Sequence, residues 1–211
     1  MDVRSTYLSA VDIAIDLLDD PDVEAAWSIE SALSGWRVSG LCGHLARAVI
    51  TVEQYLDADP APRGKLLSAG GYYAAVIDTN DLDSELHRTI RARGDEMASG
   101  GAASLMQTVL CSATRLRDRL PSEPEDRQVA VLAGTVLRLD EYLATRLVEL
   151  VVHADDVAVS VGIATPTFPA EAYRIVIETL LDVSLRRFGD LAVIRALARR
   201  ERDEVEALRV F

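Results

Sequence analysis

The sequence predicts a mainly α-helical protein, a bundle of long antiparallel helices joined by loops. Two observations carry this. Apolar residues recur at helical spacing over several stretches of roughly 15 to 20 residues, and these stretches are separated by short breaks rich in Pro, Gly and Asp. Strand-like patterning is limited to a short region near residue 130 and the last few residues. With 211 residues, 49% hydrophobic and 27% charged, the chain can bury a large core beneath a charged surface. We expect residues 1–163 to form the bundle and 164–211 a helical C-terminal extension packed on it.

The first helix runs from Ser5 to Asp20, with Leu8, Val11, Ala14, Leu17 and Leu18 on one face, and Pro21 stops it. Residues 21–36 are irregular, with Trp27 and Trp36 expected as core anchors. A second helix spans Val38 to Asp57, capped near Ser39, with His44 at the edge of its apolar face. Pro60 and Pro62 end it. Residues 68–80 read as a loop and then a short helix carrying Tyr72 and Tyr73. Asp81 to Ala98 forms a helix with a polar face, broken by Gly100 and Gly101. Ala102 to Leu120 follows, and 121–126 is a polar loop. Residues 129–132 and 135–139 around Ala133 and Gly134 predict a β-hairpin. Asp140 caps a long helix reaching about Gly162. After Pro166 and Pro169, helices are expected at 170–188 and 190–202, and Leu208 to Phe211 as a strand or tail.

The formal charge of −12 argues against nucleic acid and anionic membranes as partners, since both need positive patches. The arginines at 115–119 and 195–202 are interspersed with acids and read as solvated helix faces. No run of about 18 apolar residues suggests a membrane span, and the N-terminus lacks a signal-peptide pattern, so the expectation is a cytoplasmic protein. Cys42 and Cys111 fit no disulfide framework and read as small buried hydrophobes.

The helix after Asp140 is the most informative segment. Arg146, Glu149, His153 and Asp156 succeed one another at spacings of three, four and three. At roughly 100° per residue they share an arc of about 80° on a helix that is apolar on nearly every other side. Buried carboxylates and imidazoles are costly unless compensated. One compensation is a metal ion held by Glu149 and His153, one turn apart. The other is a polar network in which Arg146 and Asp156 neutralise that pair. A third ligand must come from elsewhere. His87 lies in a polar context and reads as a surface residue. His44 lies on an apolar helix facing the interior, and Gly43 beside it permits close approach of another helix. In a metal site Asp156 would orient the His153 imidazole and Arg146 an anion or carboxylate.

Trp36 with Leu41, His44 and Leu45 after it, and later Tyr142, Arg146, Glu149, His153 and Asp156, resemble the two signatures of the mycothiol-dependent maleylpyruvate isomerase N-terminal domain family. That family lies within the DinB-like superfamily of metal-binding four-helix bundles. The resemblance covers roughly residues 5–163. It implies a DinB-like four-helix bundle with His44, Glu149 and His153 as the metal ligands, zinc as the usual ion, and mycothiol as a thiol co-substrate. The isomerase continues into an α/β domain, whereas about 48 mostly helical residues come after Gly162 here.

The functional expectation is a metal-dependent thiol transferase or isomerase acting on a small electrophile, with Tyr72, Tyr73, Arg146 or Arg138 as pocket candidates. Metal-dependent hydrolysis uses the same ligands without a thiol. A non-enzymatic metal- or ligand-binding module, paired as a homodimer through apolar helix faces, is the alternative from another class, and a degenerate enzyme that keeps the triad only as a core network is a third.

Overall fold

The computed structural model describes residues 2–58, 66–76, 84–131, 134–198 and 205–209. Among them, nine α-helices dominate: α1 (Val3–Leu18), α2 (Pro21–Ala25), α3 (Val38–Asp57), α4 (Ala69–Val76), α5 (Glu85–Ala98), α6 (Ala102–Arg119), α7 (Leu139–Val161), α8 (Ala170–Phe188) and α9 (Asp190–Ala198). Four of them close the expected bundle. α1 packs on α7 and α6, and α3 packs on the same two from the opposite side. Their apolar faces meet in one core, in which Tyr7, Leu41, Leu45, Leu116, Leu143, Leu147 and Leu150 are almost fully buried.

The predicted hairpin forms, as β2 (Gln128–Ala130) antiparallel to β3 (Val136–Arg138). The chain adds a strand that local pattern does not reveal: β1 (Leu66–Leu67) lies parallel to β3, giving the order β1-β3-β2. The sheet leads directly into α7, whose Leu139 N–H donates to the Arg127 carbonyl at 2.8 Å. Gly162 ends α7 in the left-handed region at φ 77°, where its N–H reaches the Ala158 carbonyl.

Several local expectations change. A short helix, α2, forms at 21–25 because Asp20 caps it and Pro21 opens it. The residue before α3 is Arg37, and no side chain caps that helix; Ser39 lies inside it. Asp140 lies in the first turn of α7, favourable to the helix dipole, while Arg138 holds the cap position. Cys111 is exposed on the outer side of α6, whereas Cys42 is fully buried and its thiol is pushed up to about 12 by that burial. The arginines of 115–119 do more than face solvent: Arg115 pairs with Glu53, Arg117 with Asp12, and Arg119 with Asp57 and Glu123. A 3-10 turn forms at Val205–Leu208, reaching the first residue of the stretch expected as a strand or tail. The expected helical residues 81–83 and 199–202 lie outside the described residues. So do 77–80 and 210–211.

α8 packs against α7, α4 and α1, and α9 continues from it. The contact that most shapes the surroundings of His44 is α3 against α5. A Cβ at Gly43 would overlap the Gly94 carbonyl oxygen, and one at Gly94 would press on the Gly40 carbonyl. This near backbone-to-backbone approach lays α5 across α3 beside His44. Gly43→Ala is therefore expected to cost about 1–3 kcal/mol of stability. Urea unfolding checks this, and a variant within 0.5 kcal/mol of the parent, on the order of a neutral surface change, would show that the helices do not pack so closely.

Candidate metal centre

α3 and α7 bring the two distant motifs together. His44 Nε2 lies 3.0 Å from Glu149 Oε2, and His153 Nε2 lies 3.3 Å from the same oxygen. The two imidazoles meet edge to face, with centroids 4.7 Å apart. One ligand atom from each of His44, Glu149 and His153 can be chosen so that all lie within 4.8 Å of one another. The three side chains keep 15–20% of their surface exposed, so the cluster opens to a cleft rather than being sealed in the core.

Surrounding groups hold this cluster in place. Asp156 Oδ2 accepts from His153 Nδ1 at 2.8 Å. The Tyr73 hydroxyl, from α4, donates to Glu149 Oε1 at 2.7 Å, with the Thr145 carbonyl 2.9 Å away. Arg146 stands 3.8 Å from Glu149 Oε1 and lies over the Tyr142 ring at 5.0 Å. Tyr73, placed only as a pocket candidate by the sequence, is thus the residue that turns Glu149 so that Oε2 faces both histidines.

The electrostatics stem from this packing. Burial alone would raise the Glu149 pKa, but hydrogen bonds from His153 and His44 and the Arg146 charge hold it well below the carboxylate range. Burial alone would lower His153; Asp156 and Glu149 reverse this and raise it to about 9. His44 stays lowered, because burial outweighs its bond to Glu149. In the metal-free chain, His153 thus carries the positive charge that Glu149 requires.

These residues fit a divalent cation. Two Nε2 atoms and one carboxylate oxygen converge, which is a three-ligand donor set that leaves a position open. The Nδ1–H of His153 is engaged by Asp156, the tautomer that frees Nε2 as a ligand. His44 Nδ1 is buried without a hydrogen-bond partner among the described residues, which give the second imidazole no comparable support.

The cleft has two sides, both of which reach His44 and Glu149. One is polar, and includes Arg47, Arg93, Arg146, Tyr55 and Tyr72. The other is largely apolar, with Trp36, Ile90, Val148 and Val152 beside His153. Trp36 packs against the core as expected, but it is only partly buried, and it also stands edge-on to His44 at 5.3 Å as a wall of the site. Trp27 is also only partly buried. His87 departs from its expected surface position, since α5 turns it, half-buried, into the apolar side of the cleft. Arg138 is exposed on β3 and does not line the cleft. Sequence offers no signal for His87 or Arg93 beyond their shared helix, because their placement depends on the α3–α5 approach.

A family model described as the mycothiol maleylpyruvate isomerase N-terminal domain matches residues 8–158. No curated protein and no solved structure matches the chain.

A cation must displace the His153 proton. Zinc affinity is expected to rise about tenfold per pH unit from neutrality and to level off near pH 9, the His153 value. In the metal-free chain the same raised pKa stabilises the fold below the usual histidine range, and that contribution is lost as pH rises through about 9. The lowered Glu149 pKa acts oppositely, contributing above the carboxylate range and losing its effect as pH falls. Asp156→Asn should weaken zinc binding about 10- to 100-fold. Competition with a chromophoric chelator between about pH 6.5 and 9.5 checks both; a pH-independent affinity would contradict the assignment.

Proposed function

The chain belongs to the mycothiol maleylpyruvate isomerase N-terminal domain family, and on that premise we propose that it is a metal-dependent enzyme transferring or isomerising a small electrophile with a low-molecular-weight thiol. At family level the function is mycothiol-related and maleylpyruvate isomerase-like. The observation that supports the finer reading is the convergence of His44, Glu149 and His153 at the junction of a polar and an apolar pocket.

In this reading His44, Glu149 and His153 hold a divalent ion, zinc in the first instance. A bound ion of this kind lowers the pKa of a thiol beside it, so that the nucleophilic thiolate is present at neutral pH. The protein's own groups do the rest. Asp156 keeps His153 in one tautomer, and Tyr73 keeps Glu149 turned toward the histidines. Trp36, Ile90, Val148 and Val152 limit water on one side of the site, which strengthens the electrostatic interactions within it. Arg146 places positive charge beside the carboxylate ligand and faces the polar pocket, where charge developing on an electrophile can be stabilised.

The test is turnover of model electrophiles by the zinc-loaded protein with and without mycothiol. The reading expects thiol-dependent conjugation or isomerisation, reduced at least about 100-fold by His153→Ala. Thiol-dependent turnover that survives that substitution would refute it. Equal turnover without any thiol would assign hydrolysis to the same residues.

A further inference from the structure

The polar side of the cleft has a chemical character that the triad does not explain. Its charged lining is Arg47, Arg93, Arg146 and Glu149, together with His44. Glu149 is already engaged by both histidines, Tyr73 and Arg146. The arginines are not matched in the same way. Although the Arg47 main-chain carbonyl accepts from the Thr51 hydroxyl, the guanidinium groups of Arg47 and Arg93 make no hydrogen bond or ion pair with any described residue. This contrasts with Arg4, Arg115, Arg117, Arg119, Arg174 and Arg186, which all have carboxylate partners. Arg146 spends its Nε on the Thr145 hydroxyl at 3.1 Å, and its nearest carboxylate contact is the 3.8 Å approach to Glu149.

The neutral lining points the same way. The Tyr142 hydroxyl donates to Thr51 Oγ1 at 2.8 Å and Thr51 donates on to the Arg47 carbonyl, whereas the Tyr72 hydroxyl, nearly buried in the same pocket, donates to no described group. Burial and the neighbouring Arg93 charge both depress the Arg47 pKa, as expected where guanidinium groups gather without a counter-ion. In a chain of formal charge −12, this is a local excess of donors and positive charge beside the triad.

We infer that Arg47 and Arg93, with Arg146 behind them, form an anion subsite that binds the carboxylate group of the substrate next to the metal centre. The planar guanidinium fork matches a carboxylate in two parallel hydrogen bonds, and Tyr72 can supply a third donor. Arg93 is exposed at the mouth and Arg47 half-buried further in, so an entering anion meets them in turn. The inference rests on the proposed function only in calling the bound acid a substrate. The subsite itself requires no turnover.

Calorimetric titration of the zinc-loaded full chain with benzoate, at low ionic strength, tests it, with benzamide as the uncharged isostere. Benzoate is expected to bind at least about tenfold more tightly than benzamide, and Arg47→Met and Arg93→Met should each weaken it about tenfold. Arg37→Met, outside this cleft, should leave it unchanged. Arg93 is exposed, so its variant keeps the test valid if Arg47→Met unfolds. Equal binding of acid and amide would overturn the subsite. So would benzoate binding that ignores both arginine variants and disappears on removing zinc, since the ion would then hold the acid. Tighter binding of inorganic phosphate than of benzoate would overturn its assignment to carboxylates. Loss of thiol-dependent turnover with arginine-dependent benzoate binding intact would count against the proposed function and leave the subsite standing.

Discussion

A single carboxylate in the wall of an apolar helix sets the terms for this protein. Glu149 is ionised, and an unpaired charge in such a place costs several kcal/mol. Every element around it supplies a donor or a positive charge. α3 brings His44, the next turn of α7 brings His153, α4 brings the Tyr73 hydroxyl, and the preceding turn brings Arg146. The bundle can therefore be read outward from this residue. α3 and α7 must lie side by side, and α4 must fold back over them, for the charge to be compensated.

The same arrangement leaves the site open to solvent rather than sealed in the core. A buried network that existed only for stability would close over its polar atoms. Here the three side chains remain partly exposed and face a cleft with two unlike walls. Charge on one side and apolar surface on the other give a small molecule an orientation as it approaches the triad. The glycine contact between α3 and α5 sets the distance between those walls, since α5 supplies Ile90 to both and Arg93 and His87 to one each.

Much of this is legible in the sequence, for identifiable reasons. The bounds of α3 and α8 come from apolar periodicity ended by Pro and Gly, and the i, i+3, i+4 spacing on α7 places Glu149, His153 and Asp156 on one face whatever the fold. His44 is recognisable as a polar residue on an apolar face. Local pattern does not convey relations between distant segments. β1 has two residues and exists only because the chain returns beside β3. Trp36 reads as a core anchor and does pack against the core, but nothing in local pattern shows that it also flanks a cleft. Local pattern does not single out Arg47 or Arg93; that their guanidinium groups have no partner among the described residues becomes visible only when α3 and α5 are set together. Cys111 departs from its expected burial because it lies about 200° around α6 from the buried Val109, on the solvent face.

His44 from one motif and Glu149 and His153 from the other are proposed to build one cation site. Metal analysis of the purified protein, beside Glu149→Ala and His44→Ala, tests it most directly. About one divalent ion per chain is expected in the parent and nearly none in either variant, with both variants still folded by circular dichroism. Undiminished metal content in either variant, or a parent that neither carries zinc nor takes it up, would contradict it.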